Sequence, residues 1–172
     1  MHQDVIIIKN DMLLLHCLIR VNKMNCDMCI VIEQIKSGEN PWFVKEFETG
    51  YVIFGWNQHF YGYVLFICKK HATELWDLEM NFRKQYLYEM TLVAKAVNEA
   101  FGADKMNYEC LGNGDAHLHF HLFPRRSGDL GEYGNNGKGP VWWLPKDIMW
   151  NNNNVPDMDE LQKMKMKLLR FL

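Results

Sequence analysis

Three histidines stand at alternate positions in the chain, at His117, His119 and His121. Side chains of a β-strand alternate between its two faces, so a strand here would gather the three imidazoles on one face. Imidazole has a reference pKa near 6.5, so one ring can be neutral and nucleophilic while another is charged and donates a hydrogen bond. Neighbouring rings would lie roughly 6 to 7 Å apart. That spacing suits contacts with a phosphate chain.

Two other interpretations of the histidines are weaker. A histidine-rich surface strand or metal patch fits poorly, because the intervening residues Leu118, Phe120 and Leu122 are all apolar and histidine is scarce elsewhere. A three-histidine zinc enzyme is disfavoured as well. Ligands at every second position of one straight strand span roughly 13 Å, which is too far for one ion to bind all three.

Two cysteines form a second candidate site. Cys26 and Cys29 make a Cys-x-x-Cys step, half of a zinc site, but no second such step or His-x-x-x-His follows within the usual short spacer. The alternative is a plain thiol pair that caps a helix, and the residues alone leave both interpretations open. The chain has five cysteines in all. Because that number is odd and the chain is too large to need disulfides, we expect a reducing, cytoplasmic environment.

The apolar patterns around these sites predict helices where apolar residues recur every three or four positions, and strands where aromatic and β-branched residues cluster. The predicted elements are a short helix over 29–35, strands over 51–54 and 63–68, a long amphipathic helix over 73–101, and strands over 106–111 and 117–123. Gly102 is expected to end the long helix, and Pro124 to close the last strand. Together these elements predict an α+β fold on a mainly antiparallel sheet.

The remaining segments set the domain limits. We interpret residues 1–25 as an N-terminal extension outside the fold and residues 26–150 as one domain. Residues 151–172 then form a polar, asparagine-rich linker and a C-terminal helix that packs on the domain. The start of this helix carries a capping-box pattern that begins at Asp157.

Charge and hydropathy exclude two classes of partner. Nineteen lysines and arginines against 21 aspartates and glutamates give a formal net charge of −2. This balance argues against a general nucleic-acid binder, which needs a basic surface. No apolar run approaches the roughly 18 to 20 residues of a membrane span, so we expect no membrane partner.

Residues 116–125 read AHLHFHLFPR and resemble the signature of the histidine-triad family. Further segments resemble family segments in their usual order, namely residues 62–68, 70–75, 106–109, 111–113 and 139–142. The resemblance extends from about residue 26 to the C-terminus, and the members in question are diadenosine polyphosphate hydrolase-like. It implies a histidine-triad fold with a long helix and a C-terminal helix. One departure is Tyr63, which stands where many relatives have histidine.

The resemblance also implies an activity. Family members act on the α-phosphate of a nucleotide, such as a dinucleoside polyphosphate like diadenosine tetraphosphate, or a nucleoside phosphoramidate. By position, His119 would be the nucleophile and would form a covalent nucleotidyl-histidine, a step that requires no cofactor. His117 and His121 would contact phosphate oxygens and assist the leaving group. The implied partners are the nucleotide substrate and a second copy of the chain in a homodimer.

Four more residues are assigned to the site. Asn113 stands where relatives keep an amide, commonly glutamine, near the bridging oxygen, although it also suits a turn between two glycines. Gly112, Gln58 and Arg125 are predicted to bind substrate. The alternatives are a solvated loop amide for Gln58 and a solvated surface pair for Arg125 and Arg126.

The resemblance completes the cysteine site too. Some relatives bind a structural zinc through two cysteines and two histidines, which here match Cys26, Cys29, His71 and His117. If zinc binds there, His117 is structural rather than catalytic. Two rival functions stay open: a nucleotide-binding regulatory module with little turnover, and a zinc-stabilised protein without catalysis.

Overall fold

A computed structural model of the protein describes residues 26–172, so the expectation for residues 1–25 lies outside the described part. The described strands are β1 (Phe43–Glu46), β2 (Gly50–Phe54), β3 (Val64–Cys68), β4 (Lys105–Glu109) and β5 (His119–Arg125), and the described helices are α1 (Asp27–Ser37), α2 (Met80–Phe101), α3 (Lys146–Met149) and α4 (Met158–Leu169). All strand pairs are antiparallel, in the order β1-β2-β3-β5-β4. The predicted α+β fold on an antiparallel sheet is confirmed.

The histidine-bearing strand β5 lies inside the sheet, between β3 and β4. His119 stands opposite Ile67 of β3, and His121 stands opposite both Leu65 of β3 and Glu109 of β4. Ladder hydrogen bonds on both sides therefore hold the backbone of β5. This fixes where its side chains project.

Apolar clusters cover both faces of the sheet. On one face, Phe66 and Leu122 pack against Tyr86 and Val93 of α2 and against α4. On the other face, a second cluster joins strand residues to α1 and to the segment that follows β5. Every residue of β2 and β3 is buried, as expected for strands covered on both faces. Within residues 26–172, no helix combines the length and apolar character needed to cross a bilayer.

Three differences from the predicted boundaries affect the long helix and the histidine-bearing strand. The long helix begins at Met80 rather than at residue 73, because a 3-10 turn intervenes and Glu79 caps the helix, its carboxylate accepting the amide hydrogens of Asn81 and Phe82. Pro124 does not close the last strand, since it lies opposite Met106 and β5 continues beyond it. At the other end, β5 starts two residues later than predicted, so that His117 precedes the strand.

Strand β1 was not predicted, because its four residues are too few for a clear alternation of apolar and polar side chains.

The predicted polar linker is ordered and bonded to the domain. It forms a 3-10 turn, and the carbonyl of Asn154 accepts a hydrogen bond of 2.8 Å from the amide of Gln58. The C-terminal helix agrees with the prediction, and the carboxylate of Asp157 accepts the amide hydrogen of Glu160 at 2.8 Å.

Candidate functional site

Strand alternation separates the histidines of β5 from its apolar residues. Phe120 and Leu122 enter the cluster beneath α2. His119 and His121 therefore face the other side, where the next residue of their series, Phe123, belongs to the second cluster. His119 is buried and His121 is partly exposed. The predicted separation of apolar and histidine side chains is confirmed for these positions.

One hydrogen bond fixes the proton arrangement of His119. Its Nδ1 lies 2.6 Å from the carbonyl oxygen of His117. A carbonyl can only accept, so Nδ1 carries the hydrogen and Nε2 of the neutral ring keeps a lone pair. Nε2 in turn lies 3.0 Å from Nε2 of His121. Nε2 is therefore the nitrogen of His119 that can accept a hydrogen bond or act as a nucleophile.

His121 is held from its other nitrogen by a tyrosine. The hydroxyl of Tyr63 lies 2.5 Å from Nδ1 of His121, and the two rings are stacked. Burial, followed by the neighbouring charge of His119, lowers the pKa of His121 to about 4. Burial, with a smaller contribution from the charge of Glu109, raises the pKa of Tyr63 far above its usual value. At neutral pH, therefore, His121 is uncharged and Tyr63 keeps its proton.

A small open cleft of about 180 Å³ borders His119. The turn that contains Gly112 and Asn113 lines it, and Asn113 is exposed there. Gly112 has a φ of +68°, a backbone conformation that glycine adopts readily. The structure thus brings two of the predicted site residues to the same cleft as His119.

The predicted metal-binding residues also come together. Cys26, Cys29, His71 and His117 each offer one ligand atom, and these atoms all lie within 4.8 Å of one another. Nδ1 of His117 is 3.4 Å from the sulfur of Cys26, 3.4 Å from that of Cys29, and 3.3 Å from Nδ1 of His71. Two thiols and two imidazoles are a common donor set for a four-coordinate metal ion. We call these four residues the metal cluster.

The ring of His117 belongs to the metal cluster rather than to a row with the other two histidines. Its Nε2 lies 2.8 Å from the carbonyl oxygen of Cys68, so Nε2 carries the hydrogen and Nδ1 is left for the cluster. Burial lowers the pKa of His117, which favours the neutral, ligating form. The expected even row of three rings is therefore wrong. Two rings pair on β5, and the third faces the metal cluster.

Asp115 joins α1 to the segment before β5. Its carboxylate accepts the amide hydrogens of Met28 at 2.9 Å and His117 at 3.3 Å. Cys26 also caps α1, because its sulfur accepts the amide hydrogen of Cys29 at 3.4 Å. Burial raises the pKa of the Cys26 thiol to about 12. Helix capping and membership of the metal cluster, weighed as alternatives from the sequence, therefore occur together at Cys26.

Gln58 is not a solvated loop amide, because it is 7% exposed and bonds within its own loop. Its Nε2 donates to the carbonyls of Gly55 at 2.7 Å and Tyr63 at 2.9 Å, and its Oε1 accepts the amide hydrogen of Gly62 at 2.9 Å. Gln58 does not line the cleft beside His119. Its contacts hold the loop that presents Tyr63.

Arg125 is likewise buried rather than part of a solvated pair. Its guanidinium forms a two-pronged ion pair with Asp129, with distances of 2.7 and 2.8 Å. It also donates to Asn107 and to the carbonyl of Gly139. Arg126 bonds to backbone carbonyls, including that of Phe101 at 2.9 Å. The surface-pair alternative is wrong, because backbone and carboxylate acceptors surround both guanidinium groups.

Sequence reasoning missed two features of this site. Tyr63 was noted only as a departure from the family pattern, although its position next to the histidine-bearing strand was the available signal. Glu109 and Trp142 lie in two of the segments that resemble the family, but neither was assigned a role at the site. The indole nitrogen of Trp142 donates to the Glu109 carboxylate at 2.5 Å, and the indole ring lies edge-on to His121. Long-range pairs of this kind leave no periodic pattern in the sequence.

Comparisons with known proteins agree with this geometry. The family model described as HIT domain matches residues 42–128, just over half of the chain. A histidine triad protein from Bradyrhizobium japonicum is 26% identical, with a TM-score of 0.62 over 74% of this chain and 87% of that one. A histidine triad protein from Marinobacter aquaeolei VT8 is 27% identical, with a TM-score of 0.60 over 76% and 87%.

A third solved structure is a Zn-bound histidine triad family protein from Mycobacterium smegmatis. It is 22% identical, with a TM-score of 0.58 over 86% of this chain and 96% of that one. At this identity the likeness concerns the fold alone. No curated protein sequence matches the chain. The segment matched by the family model contains His71 and both paired histidines of β5. Because this match covers more than half of the sequence, the chain belongs to the HIT domain family.

Proposed function

We propose that the protein is a nucleotidyl hydrolase or transferase that cleaves at the α-phosphate of a nucleotide, with His119 as the nucleophile. The family generally binds nucleotides and hydrolyses or transfers them, which sets the class of activity. The observation that carries the proposal is the 2.6 Å contact between Nδ1 of His119 and the carbonyl of His117. This contact leaves the lone pair of the neutral ring on Nε2, and His119 lines an open cleft.

The reaction would proceed in two displacements. Nε2 of His119 bonds to the α-phosphorus while the bond from phosphorus to the leaving group breaks, and the leaving group takes that electron pair. Water then attacks the phosphorus of the nucleotidyl-histidine. The P–N bond breaks, its electron pair returns to Nε2, and the nucleoside monophosphate departs with the water oxygen as one proton is released.

Other residues would serve this reaction from defined positions. His121 donates a hydrogen bond towards the leaving group, and Asn113 and Gly112 contact the phosphates from the turn across the cleft. We assign Gln58 and Arg125 to holding the loops around the site, because their polar groups already bond to protein atoms. Diadenosine tetraphosphate and an adenosine phosphoramidate are the two substrate classes to test.

The test compares wild type, His119→Ala and, as a matched control, His59→Ala, which lies outside the β5 pair and the metal cluster. Each protein is incubated with both substrates while AMP release is followed, and adducts are sought by mass spectrometry. We expect AMP release and an AMP adduct on His119 for wild type and His59→Ala only. Release by His119→Ala would contradict the proposed nucleophile. Tight AMP binding without turnover by wild type would favour a regulatory module.

We also propose that the metal cluster binds a structural zinc ion. A tetrahedral zinc with bonds of about 2.0 to 2.3 Å separates its ligand atoms by roughly 3.3 to 3.8 Å, and four of the pairs here lie 3.3 to 3.4 Å apart. The Mycobacterium smegmatis structure is Zn-bound, which supports the same metal. The ion would connect the start of α1 with the segments around His71 and His117. It would supply stability rather than take part in the displacement.

Metal analysis tests the zinc proposal. Purified wild type should contain one zinc per chain, and Cys26→Ala should contain much less. Cys110→Ala is the control, since Cys110 is exposed and outside the metal cluster. Equal zinc in Cys26→Ala and Cys110→Ala would contradict the assignment. If wild type holds zinc and His119→Ala keeps full activity, the non-catalytic zinc protein becomes the better account.

Two further parts of the proposal concern the cellular setting. We propose a homodimer, as the family resemblance implies. The described sheet supports this with its edge strand β4, which exposes Tyr108, and Leu111 is exposed just after the strand. Light scattering after gel filtration tests it, and a single chain at all concentrations would contradict it.

The free thiols of the metal cluster suit a reducing compartment, which agrees with the cytoplasmic expectation.

A further inference from the structure

Four groups form a continuous hydrogen-bond chain that ends at His119 and His117, which line the cleft. It runs from the Tyr63 hydroxyl to Nδ1 of His121, from Nε2 of His121 to Nε2 of His119, and from Nδ1 of His119 to the carbonyl of His117. With both rings neutral, the proton arrangement is unique. The carbonyl accepts from His119, so His119 accepts from His121, and His121 accepts from Tyr63. His121 therefore presents an N–H at Nε2, which donates to Nε2 of His119. When that lone pair of His119 bonds to phosphorus it stops accepting, and the N–H can turn to the leaving group.

Tyr63, at one end of this hydrogen-bond chain, is held in place by its neighbours. The ring of Tyr63 is 4% exposed and stacks on Phe123 at 4.1 Å between centroids. Its backbone carbonyl is held by Gln58. A Cβ placed on Gly55 would lie only 2.1 Å from the Tyr63 ring, so the glycine is what allows the ring to lie there. Tyr63 is thus fixed against His121 from several sides.

The Tyr63 hydroxyl stays protonated. Burial, with the charge of Glu109 adding to it, opposes formation of a phenolate and raises the pKa of Tyr63. Tyr63 can therefore donate a hydrogen bond to His121 but does not readily transfer the proton. His121 is also kept neutral by its buried setting. The pair offers the leaving group a hydrogen bond rather than a spare proton.

The two substrate classes differ in whether the leaving group needs only a hydrogen bond or must gain a proton. A nucleoside polyphosphate leaves as an anion, which the N–H of His121 stabilises without giving up its hydrogen. An amine expelled from a phosphoramidate must gain a proton. If that proton came from Nε2 of His121, the Tyr63 proton would have to move to Nδ1, and a buried phenolate would be left behind.

We propose that Tyr63 is a positioning residue that holds His121 in its Nε2–H form and thereby fits the site to phosphoanhydride substrates, with a polyphosphate leaving group, over phosphoramidates with an amine leaving group. This inference rests on the proposed function and deepens it. The covalent step remains as described. The bridging P–O bond breaks, its electron pair stays on the polyphosphate oxygen, and that oxygen accepts the hydrogen bond from His121.

The test measures kcat and KM for wild type, Tyr63→Phe and Tyr63→His with three adenylates. Their leaving groups are a polyphosphate (diadenosine tetraphosphate), an amine (an adenosine phosphoramidate) and p-nitrophenolate, which needs little assistance. Wild type should prefer the tetraphosphate over the phosphoramidate by at least about tenfold in kcat/KM. Tyr63→Phe should lower kcat on the tetraphosphate by about tenfold at unchanged KM, since one hydrogen bond is lost. The p-nitrophenyl ester should be affected far less.

Tyr63→His supplies the discriminating result. A second imidazole can share a proton with His121, so this variant should hydrolyse the tetraphosphate near the wild-type rate and gain activity on the phosphoramidate. Tyr88→Phe, an exposed tyrosine on α2, is the matched control and should match wild type on all three substrates. Denaturant unfolding shows whether each variant is folded.

Each failure is separately recognisable. Wild type that hydrolyses the phosphoramidate as fast as the tetraphosphate overturns the inference while leaving the proposed function intact. So does an equal loss by Tyr63→Phe on all three substrates, which is what a merely structural role would give. A wild-type protein inactive on all three removes the proposed function, and the inference with it.

Discussion

The backbone carbonyl of His117 lies 2.6 Å from Nδ1 of His119, while the side chain of His117 points into the metal cluster. One residue therefore contributes its ring to one site and its peptide group to the other. Any change that displaces the backbone of His117 would also change the hydrogen bond that orients the ring of His119. The metal cluster and the pair formed by His119 and His121 are separate groups of side chains that both depend on this residue.

Removing a ligand of the metal cluster should therefore affect both stability and turnover. His71→Ala deletes an exposed ligand without touching β5, and we expect it to lose bound metal and at least ~2 kcal/mol of unfolding free energy. AMP release should slow, because the support for the His117 carbonyl weakens. Urea unfolding, metal analysis and kinetics on the same sample test this. His59→Ala should keep its bound metal and its turnover. Full metal loss with unchanged turnover would show that the sites are independent.

Acid should destabilise the folded protein through His121. The folded-state pKa of about 4 lies below the unfolded value near 6.5, so the unfolded chain binds more protons between these pH values. The contribution of His121 to the unfolding free energy is therefore fully present above about pH 6.5. It falls as the pH drops, and at pH 5 about 2 kcal/mol has been lost.

The His121→Asn variant isolates this effect. Tyr63, Glu109 and His119 face the same position in both proteins, so the difference in urea unfolding free energy between pH 7.5 and pH 5 reports on His121. We expect this difference to be about 2 kcal/mol smaller in His121→Asn than in wild type. Equal differences in the two proteins would mean that burial does not depress the pKa of His121.

Gly55→Ala should displace Tyr63 from His121. The added Cβ would lie 2.1 Å from a ring carbon of Tyr63, which the stacked Phe123 prevents from retreating. We expect a stability loss of about 1 to 3 kcal/mol, together with a fall in kcat that resembles that of Tyr63→Phe. Gly114→Ala is the control for stability, since nothing lies within 4 Å of its added Cβ. Wild-type kinetics for Gly55→Ala would mean that the loop adjusts freely.

The Arg125 ion pair should hold the segment after β5. Arg125→Lys keeps the charge but loses the two-pronged contact with Asp129 and the bonds to Asn107 and Gly139, so we expect a loss of about 2 to 4 kcal/mol. Limited proteolysis should then cut between residues 127 and 140 sooner. Lys95→Gln, which breaks an exposed pair with Glu99, should cost below about 0.5 kcal/mol. Similar losses in the two variants would contradict a structural role for Arg125.

The accuracy of the predictions from sequence depended on how far apart the interacting residues lie along the chain. Local signals succeeded, because the alternation around His119 and the Asp157 cap depend on neighbours in the chain. The family motif identified all four residues of the metal cluster. Contacts between distant residues were missed. The buried settings of Gln58 and Arg125, and the Tyr63–His121 hydrogen bond, join segments that no periodicity connects.

The metal cluster has one more consequence, which arises from the repetitive pattern around the triad. A strand with histidine at every second position can slip by two residues along its neighbours and still show apolar side chains to the core and imidazoles to the other face. In this protein, however, a slip in either direction would place His121 or Arg125 where Phe123 now packs in the second apolar cluster. It would also move His117 away from Cys26 and Cys29. The metal cluster and the buried Phe123 therefore fix the same register from the two sides of the histidine pair.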